Sequence, residues 1–139
     1  MARIALIPGD GIGVDVTAEA AKVLACVADE AGLTLDLVEW DLGAERYLRT
    51  GSAITDDEMA ELKSDYDAIF LGAIGDPRVP SNEHARQILL GMRFKLDLYI
   101  NLRPVKLYDA RLTPLKNTEP KDVDIVIFRE NTEGVSLGL

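Results

Sequence analysis

Short apolar runs that end in glycine or proline alternate with helix-forming stretches over the first ~75 residues, and this order constrains the fold more than any other feature of the chain. Residues 4–7 form one such run, a buried strand that enters a tight loop at Pro8-Gly9. Residues 14–31 are rich in alanine and carry Val16, Ala20, Val23, Leu24 and Val27 at helical spacing, with Gly32 as a natural stop. Residues 33–39 alternate as a second strand would, with Leu33, Leu35 and Leu37 on one side. Thr55 followed three residues later by Glu58 forms a capping box, which opens a helix through Leu62, and residues 68–72 read as a third strand. Strand and helix in alternation require crossover connections, so the chain belongs to the α/β class with a largely parallel sheet. Ligands of such sheets collect beyond the carboxyl ends of the strands, where two glycine-bearing loops, residues 8–13 and 72–77, are expected.

A polar stretch at residues 78–82 leads into a helix over residues 83–95, whose Arg86 and Arg93 are seven apart and share a face. Residues 108–122, with two prolines and no clean periodicity, read as a surface connection. Residues 123–128 resume as a buried strand that ends at Arg129, and residues 130–139 make a polar turn with a few apolar residues after it. That is a poor place to end a domain.

With a net charge of −9 and a pI of about 4.5, the chain offers no broad basic surface to nucleic acid or anionic lipid. Its one cysteine, Cys26, excludes an intrachain disulfide, fits a reducing compartment and reads as an inert core thiol. No apolar run approaches the ~18 residues of a membrane span, and the opening run reaches Pro8 and Asp10 too soon for a signal peptide. A soluble cytoplasmic protein is expected. Against this acidic background three arginines, Arg93, Arg103 and Arg129, sit in or beside apolar segments. A planar guanidinium in such a place suits a carboxylate, either that of a small polycarboxylic acid or that of one of the 24 acidic side chains.

The loop Gly9-Asp10-Gly11-Ile12-Gly13 follows a strand and opens a helix, as a dinucleotide-binding loop does. It lacks the third glycine of that motif, where Val14 stands, and Asp10 would crowd a pyrophosphate with like charge. A glycine turn serving backbone geometry alone is the other reading.

Four motifs occur in one order: Ile7-Pro8-Gly9-Asp10-Gly11-Ile12-Gly13; Leu89-Leu90-x-x-Arg93; Leu96-Asp97-Leu98-Tyr99-x-Asn101-Leu102-Arg103-Pro104; and Arg129-Glu130-Asn131-Thr132-Glu133-Gly134. In series they resemble the isocitrate and isopropylmalate dehydrogenase family of β-decarboxylating dehydrogenases, from residue 3 to residue 139. The resemblance implies the family's non-Rossmann parallel or mixed sheet flanked by helices, incomplete in this chain. Residues 1–99 would be the first part of a large α/β domain, and residues 100–139 the start of a second domain for dimerisation and substrate binding, truncated here. It also implies oxidative decarboxylation of a 2-hydroxy dicarboxylate, with NAD or NADP taking a hydride and Mg²⁺ or Mn²⁺ chelating the hydroxyl and its neighbouring carboxylate. By the same carry-over Arg93, Arg103 and Arg129 would hold the malate portion of the substrate. Gly11, Ile12 and Gly13 with Gly72, Ala73 and Ile74 would border the nicotinamide.

Leu89 and Leu90 offer an apolar wall that suits an isopropyl group better than a third carboxylate, unless the pair is ordinary core packing. That favours isopropylmalate over isocitrate and places the reaction in leucine biosynthesis. Arg86 stands one turn earlier, where isopropylmalate enzymes often carry glutamate, which leaves another malate derivative open. The family tyrosine seven residues after the third arginine is Ser136 here, a weaker proton donor. Val14 replaces a proline common at that helix start, a change of little consequence. The family's catalytic lysine, aspartate metal ligands and adenosine loop lie beyond residue 139, so no metal ligand is assigned in this chain. Asp10 and Asp76 read as turn residues, and His84 as a surface or capping residue. Two function classes follow. The chain is the N-terminal part of such a dehydrogenase, inactive alone and expected to form a homodimer or to have a partner cover an open sheet edge. Alternatively it is a short non-enzyme that keeps a carboxylate-binding half site or an interaction surface.

Overall fold

The computed structural model describes residues 1–133 and divides into two compact units, Met1–Leu96 and Asp97–Leu139. In the first unit the order is β1 (Ala2–Ile7), α1 (Ile12–Glu30), β2 (Leu35–Glu39), α2 (Ala44–Thr50), α3 (Asp56–Asp65), β3 (Ala68–Leu71) and α4 (Glu83–Lys95). The three strands form a parallel sheet in the order β2-β1-β3, with Ile4 opposite both Leu37 and Ala68. The chain leaves β1 to one side, then crosses to the other, so the strand order reverses between β1 and β3. In α/β sheets ligands are taken beyond the carboxyl ends of the strands at such a reversal, which is where the loops after β1 and β3 lie. The α/β class and parallel sheet expected from the strand and helix alternation are therefore present.

Ala5 and Ile7, alternate residues of β1, enter a core with Leu42, Ala53, Met59, Leu62, Ile88 and Met92. α3 joins that core through Met59 and Leu62, and its start is fixed by the predicted capping box. Glu58 N donates to Thr55 Oγ1 at 3.2 Å, and Thr55 N donates to Glu58 Oε2 at 2.8 Å. α4 buries His84, Ala85, Ile88 and Met92 along one stripe.

α1 is present as expected. Its buried positions are Gly13, Thr17 and Ala28, with Ala20 and Leu24 of the expected spacing half-buried beside them, whereas Val16, Val23 and Val27 are 49%, 63% and 56% exposed. One expectation about this helix is corrected. Cys26 is exposed and is no core thiol. α2, absent from the sequence reading, lies between Gly43 and Gly51, the latter left-handed at φ 75°.

In the second unit β4 (Ile100–Lys106) pairs antiparallel with β5 (Asp124–Glu130). Between them run two single 3₁₀ turns, Ala110–Leu112 and Pro120–Asp122, in keeping with the expected surface connection. The expectation of a buried strand at residues 123–128 is corrected: Ile125, Val126, Ile127 and Phe128 are all exposed in the described structure. A two-stranded ribbon has one neighbour per strand and covers neither of its faces by itself. Arg129 lies at the end of that strand, as expected, as the penultimate residue of β5.

Candidate active site

The loops after β1 and β3 meet backbone to backbone. Asp10 N donates to Ala73 O at 2.7 Å, and the two chains approach so closely that only glycine fits. A Cβ on Gly13 would lie 2.4 Å from Pro8 O and 2.5 Å from Ala73 O, and one on Gly72 would lie 2.2 Å from Pro8 O. Gly11 differs, with φ 50° and open space where its Cβ would be, and Ile12 beside it is exposed. Residues 11–13 and 72–74, expected at one site, are thus brought together. Gly13 and Gly72 form the seam between the loops, while Gly11, Ile12 and Ala73 face outward.

Asp10 organises this corner and is more than a turn residue. Its side chain is almost wholly buried; Oδ1 accepts from Ala44 N at 2.6 Å, and Oδ2 accepts from Gly75 N at 2.9 Å. Oδ2 also lies 2.8 Å from Nε2 of His84, which is 0% exposed. The expectation that His84 is a surface or capping residue is corrected, because a desolvated carboxylate draws a ring nitrogen to itself. Asp76 is a turn residue: Oδ1 accepts from Arg78 N at 2.8 Å. The Arg78 side chain bonded to it holds its carboxyl down at about 2, and the same guanidinium reaches Glu45 at 2.5 Å.

Beside the seam, at the carboxyl ends of β1 and β2, is a depression of about 360 Å³ lined by Gly9, Val14, Trp40 and the acidic Glu39, Asp41 and Glu45. Its charge is wrong for phosphates. A second depression, of about 500 Å³, lies between α3 and α4 and is lined by Ile54, Met59, Arg86, Leu90 and Phe94 among others. Leu90 lines it and Leu89 does not; both are exposed and neither is core packing. Arg86 pairs with Glu83 at 3.6 Å.

Of the nine arginines of the chain, six have a carboxylate within 4.0 Å: Arg3, Arg46, Arg49, Arg78, Arg86 and Arg111. Arg93, Arg103 and Arg129 have none among the described residues. Arg93 is half-buried on α4. In the second unit Asn101 stands opposite Arg129 and Ile127 opposite Arg103, so the two arginines are diagonal neighbours on one face of the ribbon. Neutral amides hold them: Arg103 Nε donates to Asn101 Oδ1 at 2.6 Å, and Arg129 Nη2 to Asn131 Oδ1 at 2.9 Å. Asn131, which the sequence reading gave no role of its own, is buried and donates in turn to Leu98 O at 3.1 Å. An amide fixes a guanidinium without neutralising it. Ser136 lies outside the described residues, and among those described no group of three His, Cys, Asp or Glu side chains could hold a metal ion.

The family model for isocitrate/isopropylmalate dehydrogenase matches residues 3–139. Among curated proteins, 3-isopropylmalate dehydrogenase of Thermobifida fusca is 50% identical over 99% of this chain and 38% of its own length. That of Corynebacterium urealyticum is 53% identical over 98% and 38%. Among solved structures, isocitrate dehydrogenase of Methylococcus capsulatus superposes with a TM-score of 0.75 at 28% identity, covering all of this chain and 37% of that one. A β-decarboxylating dehydrogenase of Thermococcus kodakarensis gives 0.68 at 31% identity, covering 96% and 35%. The chain spans about 38% of the length of the curated relatives it matches. Its ordered motifs, its glycine seam and a match from residue 3 to residue 139 make it a member of the isocitrate/isopropylmalate dehydrogenase family.

Proposed function

We propose that this chain is the N-terminal part of an NAD-dependent 3-isopropylmalate dehydrogenase and supplies the carboxylate-binding half of its active site. The observation that carries this reading is the selective pairing of arginines. In a chain with 24 acidic side chains, six arginines find a carboxylate, while the three in family motifs find none among the described residues. Arg93, Arg103 and Arg129 would each present a planar fork to the substrate dianion, binding it and fixing the hydroxyl-bearing carbon for transfer. Arg103 and Arg129 are preset for this by Asn101 and Asn131. Leu90, with Leu89 beside it on α4, would face the alkyl group of the substrate.

NAD, when bound, accepts the hydride from the substrate alcohol. The outward backbone of Gly11, Ile12 and Ala73 leaves room for a flat ring at the seam, whose own glycines Gly13 and Gly72 are filled from behind. In this reading Gly72 and Ile74 support that edge, and NAD is the cofactor, with NADP as the alternative. In the complete site Mg²⁺ or Mn²⁺ would polarise the substrate hydroxyl, with ligands from outside residues 1–139. The first unit would belong to the large α/β domain and the second to a dimerisation and substrate domain of a cytoplasmic homodimer. Among the described residues no helix is long and apolar enough to cross a membrane.

The test joins residues 1–139 to the complementary C-terminal part of the Thermobifida fusca relative and follows NADH formation with Mn²⁺. Activity with 3-isopropylmalate at least 100-fold above that with isocitrate is expected. A folded protein inactive with both would overturn the reading.

A further inference from the structure

The Asp10 carboxylate gathers donors from three separate elements: the first residue of α2 through Ala44 N, the turn after β3 through Gly75 N, and α4 through His84 Nε2. His84 is the only side chain of the three. It is fully buried, its ring centroid is 6.0 Å from that of Tyr47, and its Nδ1 has no hydrogen-bond partner among the described residues. An unpaired buried nitrogen is costly, and an apolar side chain would fill the same space without one. The imidazole therefore stands there for its Nε2 and the carboxylate that nitrogen meets. We propose that His84 is a positioning residue: through Asp10 it holds the glycine seam in fixed relation to α4, the helix that carries Leu90 and Arg93.

The chain of contacts is short. Asp10 lies in the β1 loop, whose N–H bonds Ala73 O at the seam, and His84 opens the first turn of α4, nine residues before Arg93. Without the imidazole, Oδ2 keeps only Gly75 N, and a buried carboxylate short of one donor turns toward water. The loops that carry it then shift against the helix. The consequence for catalysis rests on the proposed dehydrogenase function, in which the seam borders the nicotinamide and Arg93 holds the substrate. Misalignment between hydride donor and acceptor slows transfer more than it weakens binding of either.

Two measurements separate the strut from the function. In the 139-residue chain, amide hydrogen exchange at Gly75 and Ala44 is expected to speed up more than 10-fold in His84→Leu and to stay within threefold of the parent in His84→Gln, whose carboxamide can still donate to Asp10. The Glu58 amide, held by the separate capping box, should stay unchanged in both. Uniform acceleration across the unit, no change in His84→Leu, or no rescue by glutamine would overturn the strut, whether or not any catalysis is found. In the active enzyme containing these residues, His84→Leu should raise the primary deuterium isotope effect from the hydroxyl-bearing carbon of 3-isopropylmalate, and His84→Gln should restore it. That ratio does not depend on the fraction of folded enzyme. An unchanged isotope effect alongside accelerated exchange would overturn the positioning role in catalysis. Absence of activity in the parent itself would count against the dehydrogenase function, leaving the exchange result to decide the strut.

Discussion

Arg46 grips Glu58 through two parallel bonds of 2.7 Å, from Nη1 to Oε1 and from Nη2 to Oε2, joining α2 to the first turn of α3. The same carboxylate closes the capping box, so one side chain both starts a helix and fastens it to its neighbour. Bonding to Arg46 holds the Glu58 carboxyl down at about 2, against 4.5 ordinarily. A depressed carboxyl contributes stability that is full above its unfolded value and is lost as pH falls through its folded value. The contribution of Glu58 is therefore complete above about pH 4.5 and gone by about pH 2. With a quarter of the side chain exposed, solvent screening leaves about 1–2 kcal/mol. Urea unfolding followed by the fluorescence of Trp40 should show Glu58→Gln costing that much at pH 6, with the difference shrinking toward zero near pH 2. A difference independent of pH would contradict the assignment.

Replacing Gly13 and Gly91 by alanine should move stability in opposite directions. Both lie in helices, where alanine normally gains up to ~1 kcal/mol over glycine. At Gly13 the new Cβ meets two carbonyl oxygens of the seam at 2.4 and 2.5 Å, and overpacking against backbone should cost at least about 2 kcal/mol. At Gly91 the nearest atom is the mobile Cε of Met59 at 3.2 Å, which can yield. Gly91→Ala should be neutral or stabilising, and thermal unfolding of the two variants checks the sign.

In native buffer dilute enough to keep the chain dissociated, Cys26, on the outer side of α1, should react with a thiol reagent at a rate within about tenfold of that in urea. Protection by several orders of magnitude would mean that this face is covered in solution.

The same face carries Ile12, Val16, Val23 and Val27, and the strands β2 and β3 leave the sheet with two unpaired edges among the described residues. Sedimentation across a concentration series should therefore find the 139-residue chain associating as concentration rises. A monomer throughout would contradict that expectation.

The parts of the fold legible in the sequence are those decided locally. The Thr55 and Glu58 capping box needs only four residues, and the helix predicted over residues 83–95 coincides with α4. The parts missed depend on distant partners. α2 is seven residues long, and its first amide is held by Asp10 from 34 residues away. His84 sits among charged neighbours and reads as exposed, because Asp10 is 74 residues distant in sequence. Helical spacing located α1 but does not say which flank of the apolar set meets the sheet: Ala20 and Leu24 are half-buried, and Val16, Val23 and Val27 are exposed. The arginines were legible as a set through their motifs. That they lack carboxylate partners among the described residues became visible only with the side chains in place.

In the proposed enzyme Arg93, Arg103 and Arg129, which have no carboxylate partner among the described residues, would receive the carboxylates of the substrate. The most direct measurement is kcat/KM for 3-isopropylmalate after replacing each by lysine, in the enzyme that joins residues 1–139 to the relative's C-terminal part. Lysine keeps the charge and loses the bidentate fork. Each change is predicted to lower kcat/KM by about 100-fold, while Arg111→Lys, whose parent arginine is paired with Asp109, leaves it within twofold. Activity indifferent to all three replacements would contradict the account.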